Sequence, residues 1–255
     1  MIQENPAQNP WIQRFHPSPD SRMSLFCFPY AGGSATYYFP LSQALAPEWE
    51  VFAVQYPGRQ ERHREKVIDT VPDLADRVAE ALTDRTDRPF AFFGHSMGAV
   101  VAFETARRLQ VAGRKSPAWL FASGRRAPSR RRAATVSRLD DAGLLAELLH
   151  LGATSPRLLA DPEIRAAIVS TVRADYRAIE TYEAEPGASV SCPVTVLVGD
   201  SDQQTSYEEA LAWRDHCTGR FAIKVFSGGH FYLDNCRREV VDTIRDSLVH
   251  ERGMS

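Results

Sequence analysis

The pentapeptide Gly94-His95-Ser96-Met97-Gly98 carries the clearest chemical signal in the chain. It fits the pattern G-x-S-x-G and stands between an apolar run, residues 89–94, and a stretch of helical period, residues 99–110. A sharp turn between a strand and a helix exposes a serine hydroxyl, and glycines two residues to either side avoid the crowding of such a turn. The first N–H groups of the helix suit negative charge that develops on a substrate oxygen. Ser96 is therefore predicted to be a nucleophile.

Two later turns can supply the base and the acid that a serine nucleophile needs. In folds with this elbow the chain order is Ser, then Asp or Glu, then His. The segment Gly199-Asp200-Ser201-Asp202 follows one apolar run, and Gly228-Gly229-His230-Phe231 follows the next. Of the seven histidines, His230 alone lies just beyond a late strand in a glycine-rich turn, so it is predicted to be the base. Both Asp200 and Asp202 lie in reach; we favour Asp202 as the acid and Asp200 as a cap of the turn or of the next helix.

An oxyanion hole needs a second backbone N–H besides that of Met97, from the loop after an early strand. The segment Phe28-Pro29-Tyr30-Ala31-Gly32-Gly33 is that loop, and its two glycines permit a close backbone approach. The N–H of Ala31 is the candidate. The alternative is a plain glycine turn.

Aromatic residues on and after this loop are candidates for a wall of the substrate pocket: Tyr30, Tyr37, Tyr38 and Phe39. The alternative for the last three is that they pack the following helix against the sheet.

Six short apolar runs bounded by turn residues predict buried strands. They are residues 24–29, 50–56, 89–94, 118–124, 193–199 and 221–227. Helical periods alternate with several of them, as in residues 70–82, so we expect a mostly parallel central sheet with helices on both faces. With the elbow, this pattern predicts the α/β-hydrolase fold, in which the turns named above gather at the carboxyl edge of the sheet.

The alternation is interrupted once, between residues 124 and 193. Here residues 137–150 and 161–182 predict helices, the second with Asp161 as its cap and Pro162 at its first position. We interpret residues 125–190 as a helical lid inserted within a single domain of residues 1–255. The alternative is an ordinary long crossover between strands.

Composition excludes several classes of protein. A chain of 255 residues fits one α/β domain, and a formal net charge of −2 gives no field that favours nucleic acid or an anionic membrane. The four cysteines stand far apart without a CxxC pair, which predicts buried thiols and neither disulfides nor a metal site. The first 20 residues show no pattern of a signal peptide or an anchor, and no apolar run is long enough to span a bilayer, so we expect a cytoplasmic protein.

From about Leu25 to Leu233 the sequence resembles the type II thioesterases of polyketide and nonribosomal peptide synthesis. The resemblance rests on the motifs above and on Tyr56-Pro57-Gly58-Arg59 with Arg62 after it, for which residue chemistry alone indicates no catalytic role. It implies an editing enzyme that hydrolyses stalled acyl groups from the phosphopantetheine arm of carrier proteins, with no cofactor of its own. It also implies Asp202 as the acid, since the family's acid takes the fourth position of a G-x-x-D turn.

The carrier proteins of such pathways resemble one another in being acidic, and a basic run follows the apolar run 118–124. Its arginines are candidates for a carrier contact: Arg125, Arg126, Arg130, Arg131 and Arg132. The alternative is a solvated loop. The same residues are compatible with two other functions: an esterase or acyltransferase acting on free small molecules, or a hydrolase fold used only for binding.

Overall fold

The computed structural model describes residues 9–133, 135–154 and 156–252, with side chains up to residue 248. Within this part of the chain lies a seven-stranded sheet in the order β1-β3-β2-β4-β5-β6-β7. Its strands are β1 (Ile12–Gln13), β2 (Ser24–Phe28), β3 (Glu50–Val54), β4 (Phe90–His95), β5 (Trp119–Ser123), β6 (Val194–Gly199) and β7 (Phe221–Phe226). β1 pairs antiparallel with β3, and every other pair is parallel. The predicted mostly parallel sheet is confirmed, and the short β1 is the strand that the apolar pattern missed.

Eight α-helices accompany the sheet in the described residues. They are α1 (Phe39–Leu45), α2 (Val71–Ala81), α3 (Met97–Val111), α4 (Asp141–His150), α5 (Pro156–Leu159), α6 (Pro162–Thr181), α7 (Tyr207–Leu211) and α8 (Arg237–Arg252). The predicted cap of α6 is present, because Asp161 Oδ1 accepts from the N–H groups of Glu163 and Ile164 at 2.8 and 3.1 Å. α4 begins later than predicted because Asp140 caps it by accepting from Gly143 N at 2.8 Å.

Two apolar layers cover the sheet. α2 and α3 pack on one face through residues such as Val78 and Phe103, and α1 and α8 pack on the other through residues such as Leu45 and Ile244. A strand that is covered on both faces consists of consecutive apolar residues, which explains why the sequence predicts these strands. β7 departs from this prediction: as the last strand of the described sheet it leaves Val225 exposed.

The strand register aligns the carboxyl ends of the strands that carry the predicted site. Phe28 pairs with Gly94, His95 with Ser123, and Gly199 with Phe226. The loops that follow β2, β4, β6 and β7 therefore leave the same edge of the sheet.

The segment between β5 and β6 contains the helices α4, α5 and α6. Residues 134 and 155 of this segment lie outside the described residues. Leu144 and Leu148 of α4 pack against Val169 and Val172 of α6 in a small separate cluster. The end of α6 packs into the main core through Ala178, so this helix contacts both the small cluster and the main core. The lid and domain boundaries stay predictions.

No helix of the described residues is long and apolar enough to cross a membrane. Residues 1–8 of the N-terminal stretch, for which neither a signal peptide nor an anchor is expected, lie outside the described part.

Candidate active site

Ser96 occupies a strained turn between β4 and α3. Its backbone has φ 54° and ψ −119°, a conformation that side chains rarely adopt. The flanking glycines are required, because neither position has room for a side chain. A Cβ added to Gly94 would lie 2.3 Å from the carbonyl oxygen of Gly98, and a Cβ added to Gly98 would lie 2.0 Å from the carbonyl oxygen of Phe28. The predicted elbow geometry is present.

His230 and Asp202 meet beside this elbow, although they follow different strands. His230 Nδ1 lies 3.1 and 3.0 Å from the two carboxylate oxygens of Asp202. The side chains are 8% and 0% exposed, respectively, so this contact is shielded from water. A carboxylate here fixes the orientation of the imidazole and favours the tautomer with the proton on Nδ1.

Asp200 has a separate role in the same turn. Its Oδ1 accepts from the N–H of Gly228 at 2.9 Å and thereby ties the turn after β6 to the turn after β7. The two turns approach closely, since a Cβ at Gly199 would lie 2.3 Å from the Gly228 carbonyl oxygen. Of the two aspartates, it is Asp202 that contacts the imidazole.

A buried polar chain beneath His230 was missed by the sequence analysis, which treated His95 as the variable residue of the elbow. His95 Nδ1 lies 2.9 Å from Ser123 Oγ, which lies 2.6 Å from the hydroxyl of Tyr232. The ring of His95 lies 5.1 Å from that of His230. Complete burial, and next the neighbouring His230, lower the pKa of His95 well below its ordinary range, so this imidazole is neutral.

The loop after β2 forms a tight turn in front of Ser96. Gly33 N donates to the carbonyl oxygen of Tyr30 at 2.9 Å, and Gly32 has φ +79°, as a type II turn requires at its third position. Among the described residues the N–H of Ala31 has no hydrogen-bond partner. Met97 begins α3, where the first N–H groups of a helix are also unpaired within the helix.

Ser96 and His230 share a small cavity of about 30 Å³. The turn contributes Ala31 to its wall, and α6 contributes Tyr176. The remaining lining residues are Tyr30, Arg125, Leu151, Ala153, Ile179, Gln204 and Phe231. The small cavity therefore brings together the predicted nucleophile, the predicted base and the predicted oxyanion donor.

A second cavity of about 570 Å³ adjoins it and shares Ala31 and Ala153 with it; we call it the apolar cavity. Its walls come from the turn after β2, the loop of residues 58–63 and the helices α4 to α6. Leu148, Ile168 and Val172 are among its apolar lining side chains. A space of this size and character fits a hydrocarbon chain.

The aromatic residues divide between these surroundings and the core. Tyr30 lines the small cavity, and burial, followed by Asp234, raises the pKa of its phenol to about 12. Tyr37 packs against Tyr30 at 5.0 Å between ring centres and lines neither cavity. Tyr38 is buried and donates to the Phe28 carbonyl oxygen at 2.7 Å, and Phe39 packs on Phe15. The pocket prediction is therefore corrected for these three residues: Tyr37 and Tyr38 follow the packing alternative, whereas Phe39 is 46% exposed and lies in neither a cavity nor the core.

The basic run is not a continuous rim. Arg125 turns into the small cavity, where burial, and next the Arg126 guanidinium, lower its pKa to about 9. Its Nε is buried without a hydrogen-bond partner in the described part of the chain. Arg126 is 9% exposed and donates to the Gln204 carbonyl oxygen at 3.2 Å. A carrier contact is therefore corrected for Arg126, because a carrier surface cannot reach a buried guanidinium. For Arg125, which is half-buried in the wall of the small cavity, the contact stays a prediction.

The other three arginines of the run are exposed. Arg131 pairs with Glu183 at 2.5 Å and Arg132 with Glu209 at 2.7 Å. Arg130, Arg131 and Arg132 stay candidates for a carrier contact.

An ion pair between Arg59 and Asp175 lies directly behind the turn after β2. The motif Tyr56-Pro57-Gly58-Arg59 marked Arg59 in the sequence, but no local pattern marked Asp175, which lies in the middle of α6. In the residues that the structure describes, no group of His, Cys, Asp or Glu is arranged to hold a metal ion. The expectation that no metal or cofactor is needed stays a prediction.

Comparison with known proteins agrees with the fold. The family model of the thioesterase domain matches residues 23–248. The "Probable cadicidin biosynthesis thioesterase" of Streptomyces griseus is 48% identical over 243 residues, which cover 95% of this chain and 67% of that protein. "Thioesterase PikA5" of Streptomyces venezuelae is 45% identical over 244 residues, which cover 95% of this chain and 87% of that protein.

A solved structure supports the same relationship. The type II thioesterase BorB from the borrelidin biosynthetic cluster superposes with a TM-score of 0.87 at 43% identity, covering 95% of this chain and 99% of that one. The predicted α/β-hydrolase type of fold is thereby confirmed. The chain belongs to the thioesterase domain family, and its relatives of 45–48% identity and BorB place it beside the type II thioesterases.

Proposed function

We propose that this protein hydrolyses acyl thioesters from the phosphopantetheine arm of acyl or peptidyl carrier proteins, as the editing thioesterase of a polyketide or nonribosomal peptide pathway. The observation that carries the proposal is the contact of His230 with Asp202 beside the Ser96 elbow, in a cavity that adjoins an apolar one. The family membership and the biosynthetic relatives support the thioester as the substrate bond.

In the proposed mechanism Ser96, His230 and Asp202 act as a catalytic triad. With Asp202 at Nδ1, the Nε2 atom of His230 is free to take the proton from Ser96 Oγ as that oxygen attacks the thioester carbonyl carbon. The carbon–sulfur bond then breaks, and the pantetheine thiol leaves with the proton from His230. A water molecule, deprotonated by the same imidazole, hydrolyses the acyl-serine and releases the acid.

The N–H groups of Met97 and Ala31 are the proposed oxyanion donors. Support comes from the position of Met97 at the start of α3 and from the unpartnered N–H of Ala31, in a turn that lines the cavity of Ser96.

The apolar cavity is the proposed acyl site, and the helices of residues 125–190 are its lid. Its hydrocarbon lining gives an acyl chain a dry environment next to the reacting carbonyl. The phosphopantetheine belongs to the substrate, and the mechanism uses no cofactor of the enzyme. A cytoplasmic location, where carrier proteins are loaded, completes the proposal.

The test is a panel of acyl carrier proteins and acyl-pantetheine thioesters, with the matching oxygen esters beside them and release followed by mass spectrometry. We expect thioesters to be preferred, and Ser96→Ala or His230→Ala to lower kcat by about 10⁴-fold while the fold stays intact. Ser247→Ala is the control for serine removal; Ser247 is a half-buried residue of α8 that donates to the carbonyl oxygen of Thr243 at 2.8 Å. Near wild-type hydrolysis by the Ser96→Ala protein, or faster cleavage of the oxygen esters, would contradict the proposal.

A further inference from the structure

The turn after β2 is held from behind by two charged side chains. The N–H of Gly32 donates to Asp175 Oδ2 at 2.7 Å, and the carbonyl oxygen of Gly33 accepts from Arg59 Nη1 at 2.9 Å. Arg59 and Asp175 pair in a bidentate manner, at 2.7 and 2.9 Å, with side chains 7% and 0% exposed. One buried ion pair thus fixes both the N–H of Gly32 and the carbonyl oxygen of Gly33.

This ion pair joins three segments that are distant in the chain. Arg59 belongs to the loop after β3 and lies over the ring of Tyr56, 5.3 Å from its centre. Thr171, one turn before Asp175 on α6, donates to the carbonyl oxygen of Gly58 at 2.8 Å. The loop after β3, the turn after β2 and α6 are therefore fastened to each other at one place.

The hydrogen bond to Asp175 also selects the orientation of the peptide between Ala31 and Gly32. A reversal of this middle peptide, the change that separates type I from type II turns, would replace the N–H donor by the carbonyl oxygen of Ala31. A buried carboxylate repels a carbonyl oxygen, so the reversed turn is disfavoured. The N–H of Ala31 belongs to the preceding peptide, so the ion pair acts on it by holding the whole turn in place, through Gly32 N on one side and the Gly33 carbonyl oxygen on the other.

Stability alone is a weak reason for a buried ion pair, because apolar side chains of similar volume often stabilise a protein equally well. A bidentate pair does impose a definite geometry on the groups that it contacts. Here those groups belong to the turn that faces the nucleophile.

We propose that Arg59 and Asp175 are positioning residues for the reaction, which hold the turn of residues 30–33 so that the N–H of Ala31 meets the developing oxyanion. This inference rests on the proposed function. It also gives the motif Tyr56-Pro57-Gly58-Arg59 a task, namely to deliver the guanidinium to the turn. The expected consequence is a loss of transition-state stabilisation, with little change in the binding of the substrate in its ground state.

The chain offers a matched control in Arg62. It lies three residues after Arg59, is 4% exposed, donates to the carbonyl oxygen of Gln55 at 2.7 Å and pairs with Glu65. Within the described residues, no hydrogen bond or ion pair joins its side chain to the turn after β2 or to α6. Its removal therefore disturbs the same loop without releasing the turn.

The experiment compares Asp175→Asn, Arg59→Lys and Arg59→Met with Arg62→Met on an acyl-pantetheine thioester that the wild type hydrolyses. We expect Asp175→Asn and Arg59→Met to lower kcat by about 10²-fold with KM within about twofold, since a small misplacement near the reacting atoms has that effect. Arg59→Lys should recover part of the loss. An alkyl boronic acid, which forms a tetrahedral adduct on the serine, should bind each variant more weakly in proportion to its kcat. Arg62→Met should lower the melting temperature and leave kcat and boronate affinity near those of the wild type.

If the single variants do not fold, the double variant Arg59→Met/Asp175→Leu removes both charges and leaves no unpaired ion in the interior. The folded double variant should still have a kcat well below that of the wild type. Wild-type kcat in the folded double variant or in Asp175→Asn, or an equal loss of kcat in Arg62→Met, would overturn the positioning role. A wild-type protein that cleaves no thioester would instead overturn the proposed function, so the two failures are distinct.

Discussion

The carboxylate of Asp202 meets Nδ1 of His230 with both of its oxygens, at 3.1 and 3.0 Å. An ionised carboxylate only accepts hydrogen bonds, so the proton of the neutral imidazole lies on Nδ1 and the basic lone pair lies on Nε2. Asp200, two residues earlier, binds the N–H of Gly228 instead.

The two aspartates should therefore respond differently to the same substitution. Asp202→Asn presents an amide to Nδ1 and favours the wrong tautomer, so we expect kcat to fall by about 10⁴-fold. Asp200→Asn keeps an oxygen that can accept from Gly228, so we expect a loss of about 1 kcal/mol of stability or less. Initial rates on an acyl-pantetheine thioester and melting temperatures check both. The reverse pattern would assign the acid to Asp200.

Substitutions in the apolar cavity should change the preferred length of the acyl chain. Ala167 and Ile168 of α6 line this cavity. We expect Ala167→Phe to favour shorter acyl chains and Ile168→Ala to favour longer ones. Each methylene that no longer fits should lower kcat/KM by about tenfold, and each methylene that newly fits should raise it by about tenfold. The measurement is kcat/KM over a series of acyl-pantetheine thioesters from two to twelve carbons.

The control for the cavity is Val169→Ala, on the side of α6 that packs against α4. It should lower the melting temperature without changing the chain-length profile. Unchanged profiles in both Ala167→Phe and Ile168→Ala would leave the helices of residues 125–190 as scaffold.

The arginines after β5 should divide into two functional groups. Charge reversal at the exposed Arg130, Arg131 and Arg132 should lower kcat/KM for an acyl carrier protein, more at low salt, and spare a small acyl-pantetheine thioester. Arg125→Met, in the cavity of Ser96, should instead affect both substrates equally, because its guanidinium lies where either substrate must enter.

Arg114→Glu is the control for charge reversal. Arg114 is exposed just beyond the far end of α3, whose 15 residues carry the chain about 22 Å from the elbow. An equal loss with Arg114→Glu would indicate a general charge effect, and no loss with the three exposed arginines would exclude the carrier contact.

The buried His95 should make the protein sensitive to acid. Its pKa is lowered in the folded state from an ordinary value of 6.5, so the unfolded chain binds a proton that the folded one does not. The contribution of His95 to the free energy of unfolding is therefore fully present above about pH 6.5 and is lost progressively as the pH falls below this value. We expect His95→Gln, which has no titrating group, to flatten the dependence of the melting temperature between pH 6.5 and about 5. An equally steep dependence in the variant would place its origin elsewhere.

The sequence by itself determined the elements of the fold and the order of the chemical groups along them. Apolar runs predict buried strands because a parallel sheet excludes water from both faces, and Asp161 predicts the start of α6 because a cap is a local interaction. The elbow at Ser96 was predictable for the same reason, since its glycines answer crowding within five residues.

Only the tertiary structure decided which side chains meet. Arg59 and Asp175 are 116 residues apart, and nothing local to α6 indicates that its buried aspartate holds the turn before the nucleophile. The basic run gave no sign that Arg125 turns inward while Arg130 stays in water. The reason is physical: capping, turn strain and hydrophobic period act between neighbours in the chain, whereas the partners of a buried charge depend on how distant segments pack.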